Sequence, residues 1–289
     1  MKETKFQKII VIGCGRIAAE VLAYVWERRG DYGYVVEYAE HEPQPFGVIK
    51  KMCEEREISF SSVWDKGKLA EKLERIEEET LILSAGNHFL FPPELVARRN
   101  MTIVNFHNAL LPRFPGRNAP SWAIYEGEEE TGITWHYVNA QVDGGSIILQ
   151  KRCGIPPDIK AYELAEKLMT LAMEGFCQCF AEILEDRVNA IPQEVRADRR
   201  IYRSKEIPGG GHFRIQDPPG DIYRLLRATD YGKNNIFPPV TAEYEGRKIR
   251  ILHYRKVPAE RQEQEQDAKE GFLYLPLDSG YMLKLKYGI

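Results

Sequence analysis

Residues 102–120 read Thr-Ile-Val-Asn-Phe-His-Asn-Ala-Leu-Leu-Pro-Arg-Phe-Pro-Gly-Arg-Asn-Ala-Pro, and the rest of the chain is organised around them. Ile103 and Val104 close an apolar run with the character of a buried strand. Side chains alternate faces along a strand, so Asn105 and His107, two apart, project the same way. An amide donor and an imidazole aimed at one point can hold a developing oxyanion and move a proton. The same pair also serves as an ordinary satisfied polar contact at a strand end. Pro112, Pro115 and Gly116 then predict a rigid loop carrying two cations, Arg113 and Arg117. Asp143 follows in Val142-Asp-Gly-Gly145. This reads either as a plain hairpin turn or as a turn that brings a carboxylate to the imidazole.

Upstream, Lys8 to Gly13 is a buried strand that enters Gly13-Cys-Gly15-Arg-Ile-Ala18 and a helix to about Arg28. Gly-x-Gly-x-x-Ala after a strand is one half of a dinucleotide fingerprint, and Glu37 or Glu40 would be its acidic partner. Any tight strand-to-helix turn favours glycine equally well. Strands over Tyr34–Ala39, Ile58–Val63 and Thr80–Ala85 alternate with helices over Phe46–Glu57 and Lys66–Glu78. Helix Ala119–Glu128 and strands Thr131–Val138 and Ser146–Arg152 follow, then a long amphipathic helix over Ile159–Arg187. This alternation predicts an α/β fold, a mostly parallel Rossmann-like sheet with helices on both faces. Ligands of such sheets lie beyond the carboxyl ends of the strands, where Gly86–Leu90 and Asn105–Asn108 should share one crevice. His88 competes with His107 for chemistry, and His136, between Trp135 and Tyr137, reads as a packed or surface histidine.

The C-terminal part is a small helix and β-hairpin segment: helix Asp221–Ala228, a loop over Thr229–Pro238, and strands within Thr241–Val257 and Gly271–Tyr287. The division expected is 1–205 for a catalytic domain and 206–289 for the β-rich segment, too small for a core of its own. Pro258 to Glu270, rich in Gln and Glu, reads as a mobile loop. Arg196, Arg199, Arg200 and Arg203 mark either a solvated linker or a contact for an anionic substrate.

At 289 residues, with 43% hydrophobic and 29% charged residues, the chain is globular, and its net charge of −3 gives no global basic field. Nucleic acid is therefore not the expected partner. Five cysteines lack paired metal spacing, so reduced thiols, a cytoplasmic location and no metal are expected. No run is long enough to span a bilayer.

Asn105-x-His107-x-x-Leu-Leu-Pro112, Gly116, Thr131-Gly-Ile-Thr134 and Asp143-x-Gly145, in this order, resemble the folate-dependent formyltransferase family, above all its sugar N-formyltransferases and also methionyl-tRNA formyltransferase. Ala109 stands where that family usually has Ser. The resemblance covers about Ile9 to Arg187. It implies 10-formyltetrahydrofolate as cosubstrate, no metal, and transfer of the formyl group to a primary amine. Asn105, His107 and Asp143 would be catalytic. Gly86, His88, Phe89, Leu90, Asn139 and Asp143 would bind the folate. Arg113, Arg117, Asn118, Trp122, Tyr231, Lys233 and Asn234 would bind the acceptor, a nucleotide-linked amino sugar; arginines suit a diphosphate and aromatics a base or sugar face. A methionyl-tRNA or amino-acid acceptor is the alternative, and an NAD(P)-binding protein using Gly13 to Ala18 is the reading from a different class. The C-terminal segment is further expected to build a homodimer, with Tyr231 to Asn235 near the acceptor.

Overall fold

Six residues from Lys8 to Gly13, five of them buried, form β1, an inner strand of a seven-stranded sheet. The computed structural model describes residues 2–41, 47–194, 198–260, 271–277 and 280–288. β1 is flanked by parallel β2 (Val35–Glu40) and β4 (Thr80–Ala85), and β2 carries β3 (Ser59–Ser62) outside it. β5 (Met101–His107) runs parallel to β4, and β6 (Glu130–Tyr137) returns antiparallel to β5. β7 (Ile147–Gly154) completes the order 3-2-1-4-5-6-7.

Because β2 and β4 lie on opposite sides of β1, the strand order reverses there, and the carboxyl ends of β1, β4 and β5 open at the switch point. The runs Ile-Ile-Val-Ile and Thr-Leu-Ile-Leu-Ser-Ala are buried on both faces, as a parallel sheet between helices requires. Gly13 sits where these strands meet. A Cβ there would lie 1.8 Å from the Ala85 carbonyl oxygen, so only glycine fits. That close approach accounts for Gly13 without any bound phosphate. Glu37, one candidate acidic partner of a dinucleotide, pairs instead with Lys8 at 3.2 Å.

The helices are α1 (Gly15–Tyr32), α2 (Val48–Glu55), α3 (Lys66–Glu74), α4 (Pro93–Val96), α5 (Ala119–Tyr125), α6 (Ala161–Leu184) and α7 (Pro219–Thr229). α3 stops four residues short of the expected Glu78, where the Arg98 guanidinium binds the Glu74 and Ile76 carbonyls. The expected start of α2 at Phe46, the cation Arg196 and most of the acidic insert, 261–270, lie outside the described residues.

The chain forms two compact units. One comprises Met1–Gly116, Gly132–Cys153 and Lys167–Ile201; the other comprises Arg117–Thr131, Gly154–Glu166 and Tyr202–Ile289. The second unit contains a sheet of five strands, β8 (His212–Arg214), β9 (Thr241–Tyr244), β10 (Arg247–Pro258), β11 (Phe272–Leu277) and β12 (Tyr281–Gly288), in the order 11-12-10-9-8. The C-terminal hairpins were expected to lack a core. They have one: Phe213, Ile222, Leu225, Ile249, Leu283 and Leu285 pack together. All of these lie within the C-terminal segment itself, where α7 covers one face of the five-stranded sheet; α5, from earlier in the chain, packs on α7 and adds Tyr125 at its edge.

Candidate active site

Asn105 and His107 stand on the same face of β5 at its carboxyl end, and β6 brings two more polar groups beside them. The antiparallel register sets His136 opposite Asn105 and Thr134 opposite His107. Asn105 is held at both ends of its amide. Its Oδ1 accepts from the Ser84 hydroxyl at 2.7 Å, and its Nδ2 lies 3.1 Å from His136 Nε2. Ser84 in turn accepts from Asn87 Nδ2 at 3.2 Å, and Asn87 Oδ1 accepts from the Phe89 amide at 3.0 Å. His136 Nδ1 is 2.8 Å from the Tyr137 carbonyl, a contact that requires a proton on Nδ1. Nε2 is then the bare nitrogen and accepts from Asn105. The chain of donors fixes the amide's orientation and leaves one Nδ2 hydrogen of Asn105 for another acceptor.

His107 is fixed by the same reasoning. Its Nε2 is 2.8 Å from the Phe114 carbonyl and must carry a proton, which makes Nδ1 the titrating atom. Nδ1 faces Asp143 Oδ2 at 3.5 Å, and His136 Nε2 faces Asp143 Oδ1 at 3.6 Å. The Gly116 amide donates to Asp143 Oδ2 at 2.7 Å. Burial lowers the His107 pKa, with the Asp143 carboxylate opposing it. Burial pushes the Asp143 carboxyl up, yet His107, His136 and the Gly116 amide outweigh it and hold the group well below the usual carboxylate range. The Asp143 carboxylate thus stands between two histidine rings.

Thr134 ties down the loop at Ala109 through the backbone. Its hydroxyl donates to the Ala109 carbonyl at 2.7 Å, and it accepts from the Leu111 amide at 3.1 Å and from Gln150 Nε2 at 2.9 Å. The loop after β5 is therefore anchored without a hydroxyl at position 109.

The matching sequence family is described as formyl transferase, and its match spans residues 9–180, more than half of the chain. The chain belongs to the formyl transferase family. A methionyl-tRNA formyltransferase of Caldanaerobacter subterraneus subsp. tengcongensis is 23% identical over 252 residues, 84% of this chain and 79% of that one. A GDP-perosamine N-formyltransferase of Brucella melitensis is 27% identical over 167 residues, and the match covers 58% of this chain and 62% of the relative's length. An N-formyltransferase structure from Helicobacter canadensis, in complex with folinic acid and dTDP-3-aminofucose, superposes with a TM-score of 0.68 at 15% identity, over 98% of this chain and all of that one. The last likeness is one of fold.

In this formyl transferase the other expected residues fall into two groups. Gly86 to Leu90 follow β4: His88 and Leu90 are exposed, whereas the Phe89 ring is buried in the core against His41 and Phe91. Asn139 uses its side chain locally, donating to the Gly144 carbonyl at 3.1 Å and accepting from the Gln141 amide at 2.9 Å. Arg113 is exposed, its guanidinium over the Phe114 ring.

The second unit holds the remaining residues expected to bind the acceptor. Asn118 precedes α5 in a left-handed conformation, and the Arg117 amide donates to the Tyr202 carbonyl at 2.8 Å. Trp122 is buried with its ring 4.6 Å from that of Tyr202. The Tyr231 hydroxyl meets the Ser121 hydroxyl at 3.0 Å, while Lys233 and Asn234 are exposed.

The sequence did not single out His136 or Gln193. Of the two readings for His136, packed or surface, the structure shows the packed one, but its contacts with Asn105 and Asp143 depend on a register that no local pattern states. Arg199 is more than a solvated linker residue: its guanidinium donates to the Val142 and Asp143 carbonyls.

Proposed function

We propose that this formyl transferase moves the formyl group of 10-formyltetrahydrofolate to the primary amine of a nucleotide-linked amino sugar, and that Asn105, His107 and Asp143 carry the reaction. The observation that supports this most is the fixed orientation of Asn105, whose remaining Nδ2 hydrogen points from a strand end beside a buried His–Asp pair. The folate supplies an activated formyl carbon. Asn105 Nδ2 donates to the formyl oxygen as it becomes negative, a contribution of about 3–4 kcal/mol in comparable oxyanion sites. His107 Nδ1 takes the proton released by the amine, and Asp143 stabilises the imidazolium that results.

The residues after β4 fit the folate: with the Phe89 side chain committed to the core, Gly86 to Leu90 offer backbone groups to a flat heterocycle. The pocket walls assigned to the cosubstrate are Gly86, His88, Phe89, Leu90 and Asn139. Arg113, Arg117, Asn118, Trp122, Tyr231, Lys233 and Asn234 are assigned to the acceptor. With the functional division at residue 205, the reacting residues and Arg113, Arg117, Asn118 and Trp122 fall before it, and Tyr231, Lys233 and Asn234 after it.

The sugar acceptor is supported by the GDP-perosamine relative and by the ligand of the Helicobacter canadensis enzyme. A methionyl-tRNA acceptor has its own relative in favour. We further assign the protein to the cytoplasm, as a homodimer that does not act on nucleic acid; among the described residues no helix is long and apolar enough to cross a membrane.

The experiment is a screen of GDP- and dTDP-linked amino sugars with 10-formyltetrahydrofolate, read by mass for one added formyl group. Asn105→Ala serves as the control. Formylation of methionyl-tRNA alone would overturn the sugar acceptor.

A further inference from the structure

Four consecutive backbone carbonyls, those of Val142, Asp143, Gly144 and Gly145, are each taken by a side chain from elsewhere. Arg199 donates to the first and second, Asn139 to the third, and Gln193 Nε2 to both the second, at 3.1 Å, and the fourth, at 2.5 Å. A plain turn would leave these carbonyls to water. Asp143 itself has a φ of 47°, in the left-handed region that a non-glycine residue holds only where its surroundings over-determine it. Among the described residues Gln193 is the one side chain that spans the turn, gripping it on both sides of Gly144. Its amide cannot be reversed there, since the carbonyl would then face two carbonyl oxygens.

We propose that Gln193 is a positioning residue for formyl transfer, acting through the backbone of the Asp143 turn to keep that carboxylate between His107 and His136. The inference rests on the reading of Asn105, His107 and Asp143 as the reacting site. Gln193 lies about fifty residues beyond the turn and touches neither imidazole; it sets where the Asp143 backbone stands. Since both carboxylate oxygens are already 3.5 and 3.6 Å from their histidines, a small relaxation of the turn uncouples them.

The test uses histidine ¹⁵N NMR on the full-length protein, with Gln193→Met, Gln193→Glu and Asp143→Asn beside the parent. Met keeps the volume and removes both donors; Glu keeps the shape and sets oxygens against the carbonyls. His107 is faced by Asp143, His136, Arg199 and the Phe114 carbonyl, so its Nδ1 titration reports the carboxylate's position. Both Gln193 variants should move that titration at least half as far as Asp143→Asn does, and in the same direction, while His212 and His253 in the second unit stay put. In the transfer assay kcat should fall about tenfold with KM for the folate unchanged, and the fall should vanish in the Asp143→Asn background. An unmoved His107 titration in both variants, where Asp143→Asn moves it, overturns the proposal, as do shifts that spread to His212 and His253. A His107 that ignores Asp143→Asn removes the site reading itself.

Discussion

Asn105 Nδ2 and His136 Nε2 lie 3.1 Å apart across the antiparallel pair of β5 and β6, and this contact decides which way the Asn105 amide points. Without an acceptor at position 136 the amide is free to reverse and to turn its oxygen toward the negative charge it should stabilise. His136→Met keeps the bulk and removes the acceptor. It should lower kcat about tenfold to a hundredfold while KM for the folate stays within a factor of two. Unchanged kcat in a folded variant would show that Ser84 alone orients Asn105.

Asn105→Ala removes the proposed oxyanion donor and His107→Asn the proposed proton acceptor, both at the end of β5 rather than in its apolar middle. Each should cost roughly 10²–10³-fold in kcat. Circular dichroism and the thermal midpoint should change little. Near-parent turnover in either variant, with folding verified, excludes that residue from the chemistry.

Acid should destabilise the protein in two steps. Burial depresses the His107 pKa, so the unfolded chain takes up that proton first; the contribution is full above about pH 6.5 and is lost as pH falls below it. Asp143 is also depressed, burial being outweighed by its histidines and the Gly116 amide. Its contribution is full above about pH 3.9 and is lost at lower pH. Calorimetry from pH 8 to pH 3.5 should show the midpoint falling with pH. His107→Asn should remove the upper part of the slope, and an unaltered slope would contradict the burial argument.

The central strands were legible because burial on both faces leaves an unbroken apolar run, and Thr80 to Ala85 was read to the residue. Asn105 and His107 could be paired from the two-residue period of a strand alone. The partners that orient them could not. His136 reaches Asn105 only through the register of β6 on β5, and Gln193 reaches the Asp143 turn across about fifty residues of chain. Neither link leaves a periodic trace. The core of the second unit escaped because it forms between α7 and strands β8 to β12, whose pairing in the order 11-12-10-9-8 no local pattern states.

The two glycines after Asp143 should respond very differently to one added methyl. At Gly144 a Cβ would come within 2.8 Å of the Gln141 Cβ, which moves only with its backbone, and 3.0 Å of its Oε1, which can swing away, so a shift of about half an ångström relieves the contact. At Gly145 it would lie 1.7 Å from the Tyr137 carbonyl oxygen, which belongs to the backbone and cannot swing away. That same oxygen accepts the Nδ1 proton of His136 and so selects the tautomer that receives from Asn105. Gly144→Ala should cost about 1 kcal/mol of stability and little turnover. Gly145→Ala should cost about 3 kcal/mol or more through the forced backbone shift. At a temperature where it remains folded it should still lose kcat, because the displaced carbonyl frees His136 to protonate its other nitrogen. Histidine NMR reads that tautomer directly. A Gly145→Ala protein with parent-like stability, or with the His136 proton still on Nδ1 and low activity, would contradict the route from Gly145 to Asn105.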